Sequence, residues 1–114
     1  MRAILINPWF KSITEVDIGG DNDIEKLLNN PLGPKVYVFT CGMMWPNGDT
    51  LYIDDEGLLK PGGRAFTIHT DDGIKALVGN ALILGSDEEG NSVDVKAMLT
   101  EIQTLVDWPY MVTT

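Results

Sequence analysis

The chain predicts a single-domain α+β fold: a mostly antiparallel sheet of about 5–6 strands with two helices packed on one face. Three observations carry that expectation. Short runs of branched apolar residues are cut by Gly, Pro and Asn turn signals. A turn signal, Pro46-Asn47-Gly48-Asp49, is followed by the alternating stretch Thr50–Asp54. The stretch from Val95 to Val106 places Val95, Met98, Leu99, Ile102, Leu105 and Val106 at helical spacing. The first two are strand and hairpin signals, and the third is an amphipathic helix with one face for a sheet.

Arg2–Asn7 opens the chain as a strand of Ile and Leu and stops at Asn7-Pro8. Ser12–Ile18 alternates Ile13, Val16 and Ile18 with polar residues before Gly19-Gly20, so the two segments read as paired strands. A short helix is expected after them. Asn22 would be its N-cap, Glu25 the third residue beyond, and Ile24, Leu27 and Leu28 its apolar face, with Pro31 and Gly33 ending it. Asp21, Asp23 and Glu25 suit the positive end of such a helix.

Lys35–Trp45 carries Val36, Tyr37, Val38, Phe39, Thr40 and Cys41 in succession. Apolar groups on both faces fit a central strand in the middle of the core. Asn47-Gly48 tolerates the positive φ angles of a type I′ turn, so a hairpin should return through Thr50–Asp54. Arg64–His69 reads as a strand after the Lys60-Pro-Gly-Gly63 break, and Asn80–Leu84 as another that ends at Gly85. Ser86–Ser92 is a solvated acidic turn, and Ser92 and Asp94 are cap candidates for the last helix, which Asp107-Trp108-Pro109 should terminate. Residues 110–114 are expected to form a loose tail.

The chain has 114 residues, 44% hydrophobic and 22% charged, a size and balance that suit one soluble globular domain. No window approaches the run of about 18 apolar residues that a membrane span requires. The opening apolar run is too short for a signal-peptide core, so a cytoplasmic location is expected. The lone Cys41 can form no internal disulfide, which fits a reducing compartment. Seventeen acids against eight bases give a net charge of −9. Arg2, Lys11, Lys26, Lys35, Lys60, Arg64, Lys75 and Lys96 are scattered singly, so direct nucleic-acid binding is not expected. The same field would attract a basic partner.

No catalytic constellation emerges. Asp54, Asp55 and Glu56 cluster at one strand end, and Asp71 and Asp72 at another. If they met they could hold a divalent cation or run hydrolysis between paired carboxylates, yet the alternating ligand spacing of an EF-hand is missing and turn acids explain them. No metal and no cofactor are therefore assigned. Cys41 and His69 would need spatial adjacency and an orienting third group to act as nucleophile and base. Around Gly79, Asn80 and Gly85 the spacing of a phosphate loop is absent.

Aromatic and methionine residues are more suggestive. Trp9, Phe10, Met43, Met44, Trp45, Trp108 and Tyr110 lie near turns and near the C-terminal end; Met43-Met44-Trp45 with Trp108-Pro109-Tyr110 would make a partner or homodimer patch, against which stands core packing across helix and sheet. A second candidate site is a small-ligand pocket near Asn80, Arg64 and the turn of residues 54–57.

Four segments carry a resemblance: Met1–Pro8, Asn47–Leu59, Gly79–Gly85, and Asp87–Gly90 with Val93–Val95. In combination, over nearly the whole chain, they resemble an uncharacterised family of small domains carried by bacteriophages, plasmids and other mobile elements. The resemblance brings no catalytic residues with it, and the chain departs from the pattern at Met43–Trp45 and Trp108–Tyr110. The resemblance, the −9 charge and the missing catalytic constellation together favour a non-enzymatic accessory protein that binds a host protein, with an acidic inhibitor or decoy as one form of it. The alternatives are a protein that sequesters a small molecule or nucleotide, and a small enzyme using strand-end carboxylates.

Overall fold

Ala81–Ser86 (β7) holds the fold together, because residues 81–85 are buried whichever way their side chains point. Such a strand must lie between two others and between two layers. Arg2–Asn7 (β1) pairs with it antiparallel on one side and Asp49–Asp54 (β4) on the other. Ser12–Asp17 (β2) and Thr40–Met44 (β3) extend the sheet outward, giving the order β2-β1-β7-β4-β3. Ser92–Val93 (β8) pairs with the end of β7, at Gly85 and Ser86. The computed structural model describes residues 1–19, 27–28, 40–44, 48–54, 64–70 and 73–108.

Alternation sorts the strand side chains into two cores. Ile4, Ile6, Leu51, Ala81 and Ile83 share one face and pack with Phe66, Ile68, Val95, Ile102 and Val106. Ala3, Leu82 and Leu84 share the other and pack with Ile18 and Leu28. The first core is closed by a second sheet, in which Ala65–Thr70 (β5) lies between Gly73–Val78 (β6) and Val106–Asp107 (β9). The helix Leu99–Leu105 (α1) contributes Ile102 and lies beside β2 and β5. The radius of gyration, 13.1 Å, is that of one compact domain of this length, for which about 13 Å is expected.

The antiparallel α+β expectation stands, with corrections. The described residues form nine strands in two sheets, where about 5–6 in one were expected, and a single seven-residue helix with bounds. β6 was not anticipated: in Gly-Ile-Lys-Ala-Leu-Val an exposed Ile74 blurs the alternation. Among the described residues the central strand is β7, not the Lys35–Trp45 run, whose described part, β3, stands last in the strand order. Lys35–Phe39 and Trp45 lie outside the described residues. The last helix starts at Leu99, not near Val95, and its N-cap is Met98 rather than Ser92 or Asp94. Val106 was expected on its apolar face but belongs to β9. Of the first expected helix only Leu27 and Leu28 are described, and both are helical. The β3–β4 hairpin is present with Gly48 at φ 92°, though Trp45, Pro46 and Asn47 lie outside the described residues. The tail, residues 110–114, lies outside them as well.

Candidate functional site

Asp49 anchors the segment that leads into the last helix. This carboxylate is 1% exposed, at the start of β4. Its Oδ1 accepts the Lys96 backbone N–H at 2.8 Å and its Oδ2 that of Ala97 at 2.9 Å. Both N–H groups are satisfied by a partner 47 and 48 residues distant in sequence. The helix begins just beyond those bonds, at Leu99, with the Glu101 carboxylate accepting the Met98 N–H at 3.1 Å. Arg2 holds the same segment from the other side. Its guanidinium donates to the Val95 carbonyl, and its N–H bonds the Asp94 carboxylate at 2.8 Å.

These anchors build an acidic end. The register sets Asp17 opposite Arg2 and Val93 opposite Gly85, so the start of β1, the end of β2 and the β7–β8 turn share one edge of the larger sheet. Glu15, Asp17, Asp87, Glu88, Glu89 and Asp94 are all exposed there, against the cations Arg2, Lys96 and the Met1 ammonium, of which Arg2 pairs with Glu15 at 2.8 Å and the ammonium pairs with Asp17 at 3.0 Å. The turn is ordered by its own first acid. Asp87 Oδ1 accepts the Glu89 N–H at 2.9 Å and the Asn91 N–H at 2.8 Å, and Gly90 turns the chain at φ 84°. The Asn91 backbone N–H in particular holds the Asp87 carboxyl below its ordinary value.

The opposite end has a different chemistry. β1 and β2 are joined by the loop Pro8–Lys11, closed by the pair Asn7–Ser12. Asn7 Oδ1 accepts the N–H groups of Trp9 and Phe10 at 3.0 and 3.3 Å, which pins the loop. Lys11 takes the left-handed conformation at φ 51°, and Phe10 is 60% exposed. The Arg64 guanidinium lies 5.6 Å from the centre of the Trp9 ring, a cation–π contact worth about 0.5–1 kcal/mol at an exposed site. Sequence alone had no means of joining Trp9 to Arg64, which are brought together across the two sheets.

The expected ligand pocket draws partly on this end. Ile53 and Ile6 both pair with Ala81, so the backbones of Asp54 and Asn80 adjoin, and the Gly79 N–H donates to the Arg64 carbonyl at 2.8 Å. Asn80 itself is buried, its amide donating to the Leu27 carbonyl at 2.9 Å, so it ties β7 to the helical pair beneath. Trp108 packs on the first core, edge-on to Phe66 at 6.4 Å and 61°. Met43 and Met44 pair with Leu51 and Thr50 along β3 and β4. Asp55, Glu56, Trp45 and Tyr110, like Asp71 and Asp72, lie outside the described residues.

Cys41 and His69 fall in different sheets, on β3 and β5. His69 Nε2 lies 3.4 Å from an Asp107 carboxylate oxygen, both exposed. Among the described residues no group of three or more His, Cys, Asp or Glu is placed to hold a metal ion, and no helix is long and apolar enough to cross a membrane. The described residues, two antiparallel sheets with a seven-residue helix, make a sheet-dominated α+β protein. Comparison with protein-family models, curated proteins and solved structures returned no match.

Proposed function

We propose that this chain is a non-enzymatic accessory protein of a phage or mobile element, and that it binds a host protein through its acidic end. The observation that carries this reading is the gathering of Glu15, Asp17, Asp87, Glu88, Glu89 and Asp94 at one edge of the larger sheet, on ordered elements rather than on a tail. Carboxylates carried on ordered backbone, in excess over the Arg2, Lys96 and Met1 cations beside them, present a negative surface that steers a basic partner. A nucleic-acid groove on a host protein is the kind of target such a surface would occupy as a decoy.

The test is recovery of the tagged protein from a bacterial host lysate, with native mass spectrometry to read partner and stoichiometry. The recovered pair is then remeasured with Glu15→Gln, Asp17→Asn, Glu88→Gln and Glu89→Gln combined. Asp87 and Asp94 are left intact because they bond backbone N–H groups. Affinity should fall with the four neutralisations and with salt, since screening shortens to about 3 Å at 1 M. A complex indifferent to both would end the electrostatic reading.

The adjoining backbones of Asp54 and Asn80, with Arg64 beside them, favour a second reading, a small molecule or nucleotide held at the other end. A ligand at 100 times its Kd would stabilise the fold by about 2.7 kcal/mol, which a melting screen of metabolites detects. A flat screen removes this alternative.

A further inference from the structure

The β1–β2 loop and Arg64 form a surface separate from the acidic end, where the described residues leave the buried Trp9 Nε1–H without an acceptor. Among the described residues, neither Arg64 nor Lys11 has a carboxylate within 4.0 Å. The Trp9 indole Nε1–H is buried and meets no acceptor among the described residues. A buried N–H without an acceptor calls for an explanation, and here it belongs to the same ring that carries the guanidinium. Beside them Phe10 leaves most of its ring in water. The loop is already ordered by Asn7, so docking there would require little rearrangement.

We propose that Trp9, Phe10, Lys11 and Arg64 form a docking surface for a short acidic segment of a protein partner, one that sets a carboxylate on Arg64 and an apolar side chain on Phe10. The planar guanidinium fork matches a carboxylate with two parallel hydrogen bonds, and its cation–π contact with Trp9 favours its position beforehand. Trp and Arg are also the residue types that dominate interface energetics. Net charge selects the class of partner. At −9 the chain repels a polyanion, whereas a segment with one or two carboxylates among apolar residues carries too little charge for the field to exclude it. This surface does not depend on the acidic end, so the two readings stand or fall separately.

The experiment is selection of a displayed random-peptide library on the intact protein. Enriched peptides are then synthesised with a dye and titrated by fluorescence polarisation. The expected winners combine Asp or Glu with Leu, Phe or Trp. Their affinity should fall about tenfold or more with Arg64→Met, which keeps aliphatic cover on Trp9, and to a lesser extent with Arg64→Lys, which keeps the charge but not the fork. Phe10→Ser, at an exposed site that cannot threaten the fold, should also weaken them, while Lys75→Met should not. Winners that are basic or uncharged, or that bind Arg64→Met and Phe10→Ser as well as the parent, overturn the proposal. So does displacement of the peptides by inorganic phosphate at equal occupancy, which would make the site one for small anions.

Discussion

Removing the Asp49 carboxylate should loosen one specific segment before it unfolds the chain. In Asp49→Ala the Lys96 and Ala97 N–H groups lose their acceptors in a site that is 1% exposed. Hydrogen bonds to a charged acceptor contribute about 1.5–3 kcal/mol each, and the two share one carboxylate whose own desolvation cost disappears with it. A net loss of about 2–4 kcal/mol follows, a large share of the roughly 6–17 kcal/mol typical of a chain this long. For 114 residues 1 kcal/mol moves the melting midpoint by about 4 °C, so the midpoint should drop by about 8–16 °C. Asp49→Asn keeps the shape but turns an NH2 group toward one of the two donors, and should cost about 1–3 kcal/mol. Thermal unfolding by circular dichroism gives the magnitude, and hydrogen exchange at Lys96 and Ala97 gives the place. If Asp49→Ala lowers the midpoint by less than about 4 °C and both amides stay protected, another group holds the segment and the reasoning fails.

Three further outcomes follow from the geometry. Gly85→Ala would drive a Cβ into the Asp94 carbonyl oxygen, where β8 crosses the end of β7, and such backbone overlap should cost about 1–3 kcal/mol or more in urea unfolding. Asp87 titrates below the ordinary 3.8 because the Asn91 N–H bonds its ionised form; its contribution is complete above that value and lost as pH falls through the lower folded one. The stability gap between the parent and Asp87→Asn should therefore narrow in acid, and an NMR titration showing Asp87 at or above 3.8 would contradict the turn geometry. Asp107→Asn should change stability by less than about 1 kcal/mol, because the His69–Asp107 pair is exposed; a larger loss would mean that β9 depends on it.

Much of the fold is legible in the chain because strand period and turn chemistry are local. Arg2–Asn7 and the hairpin return at Thr50–Asp54 follow from alternation and from Asn-Gly, and both are strands. What misled was a helical period whose meaning is set from afar. Val95 and Val106 fit the apolar face of a helix, yet Val95 precedes it, held by the Arg2 carbonyl, and Val106 pairs with Ile68. Those partners lie far away in sequence, and no window around residues 94–107 contains them. The candidate site was legible in parts. Arg64 and the aromatics at Trp9 and Phe10 stand out by residue type, but their juxtaposition comes from packing one sheet on another. Asp49 looked like a turn residue beside Gly48, and nothing local marks it as buried.

The position of β7 has a consequence for how the chain is made. Its two neighbours, β1 and β4, are synthesised long before it, and neither can complete its hydrogen bonds until residues 81–86 leave the ribosome. Until then the β1–β2 and β3–β4 hairpins each present an open edge of apolar strand, the state in which sheets join wrongly between molecules. Folding should therefore be slow for a chain of this size, because its decisive contacts join distant segments. A chain halted before Ala81 would be sticky rather than merely incomplete, and a chaperone that shields strand edges would matter most in that interval.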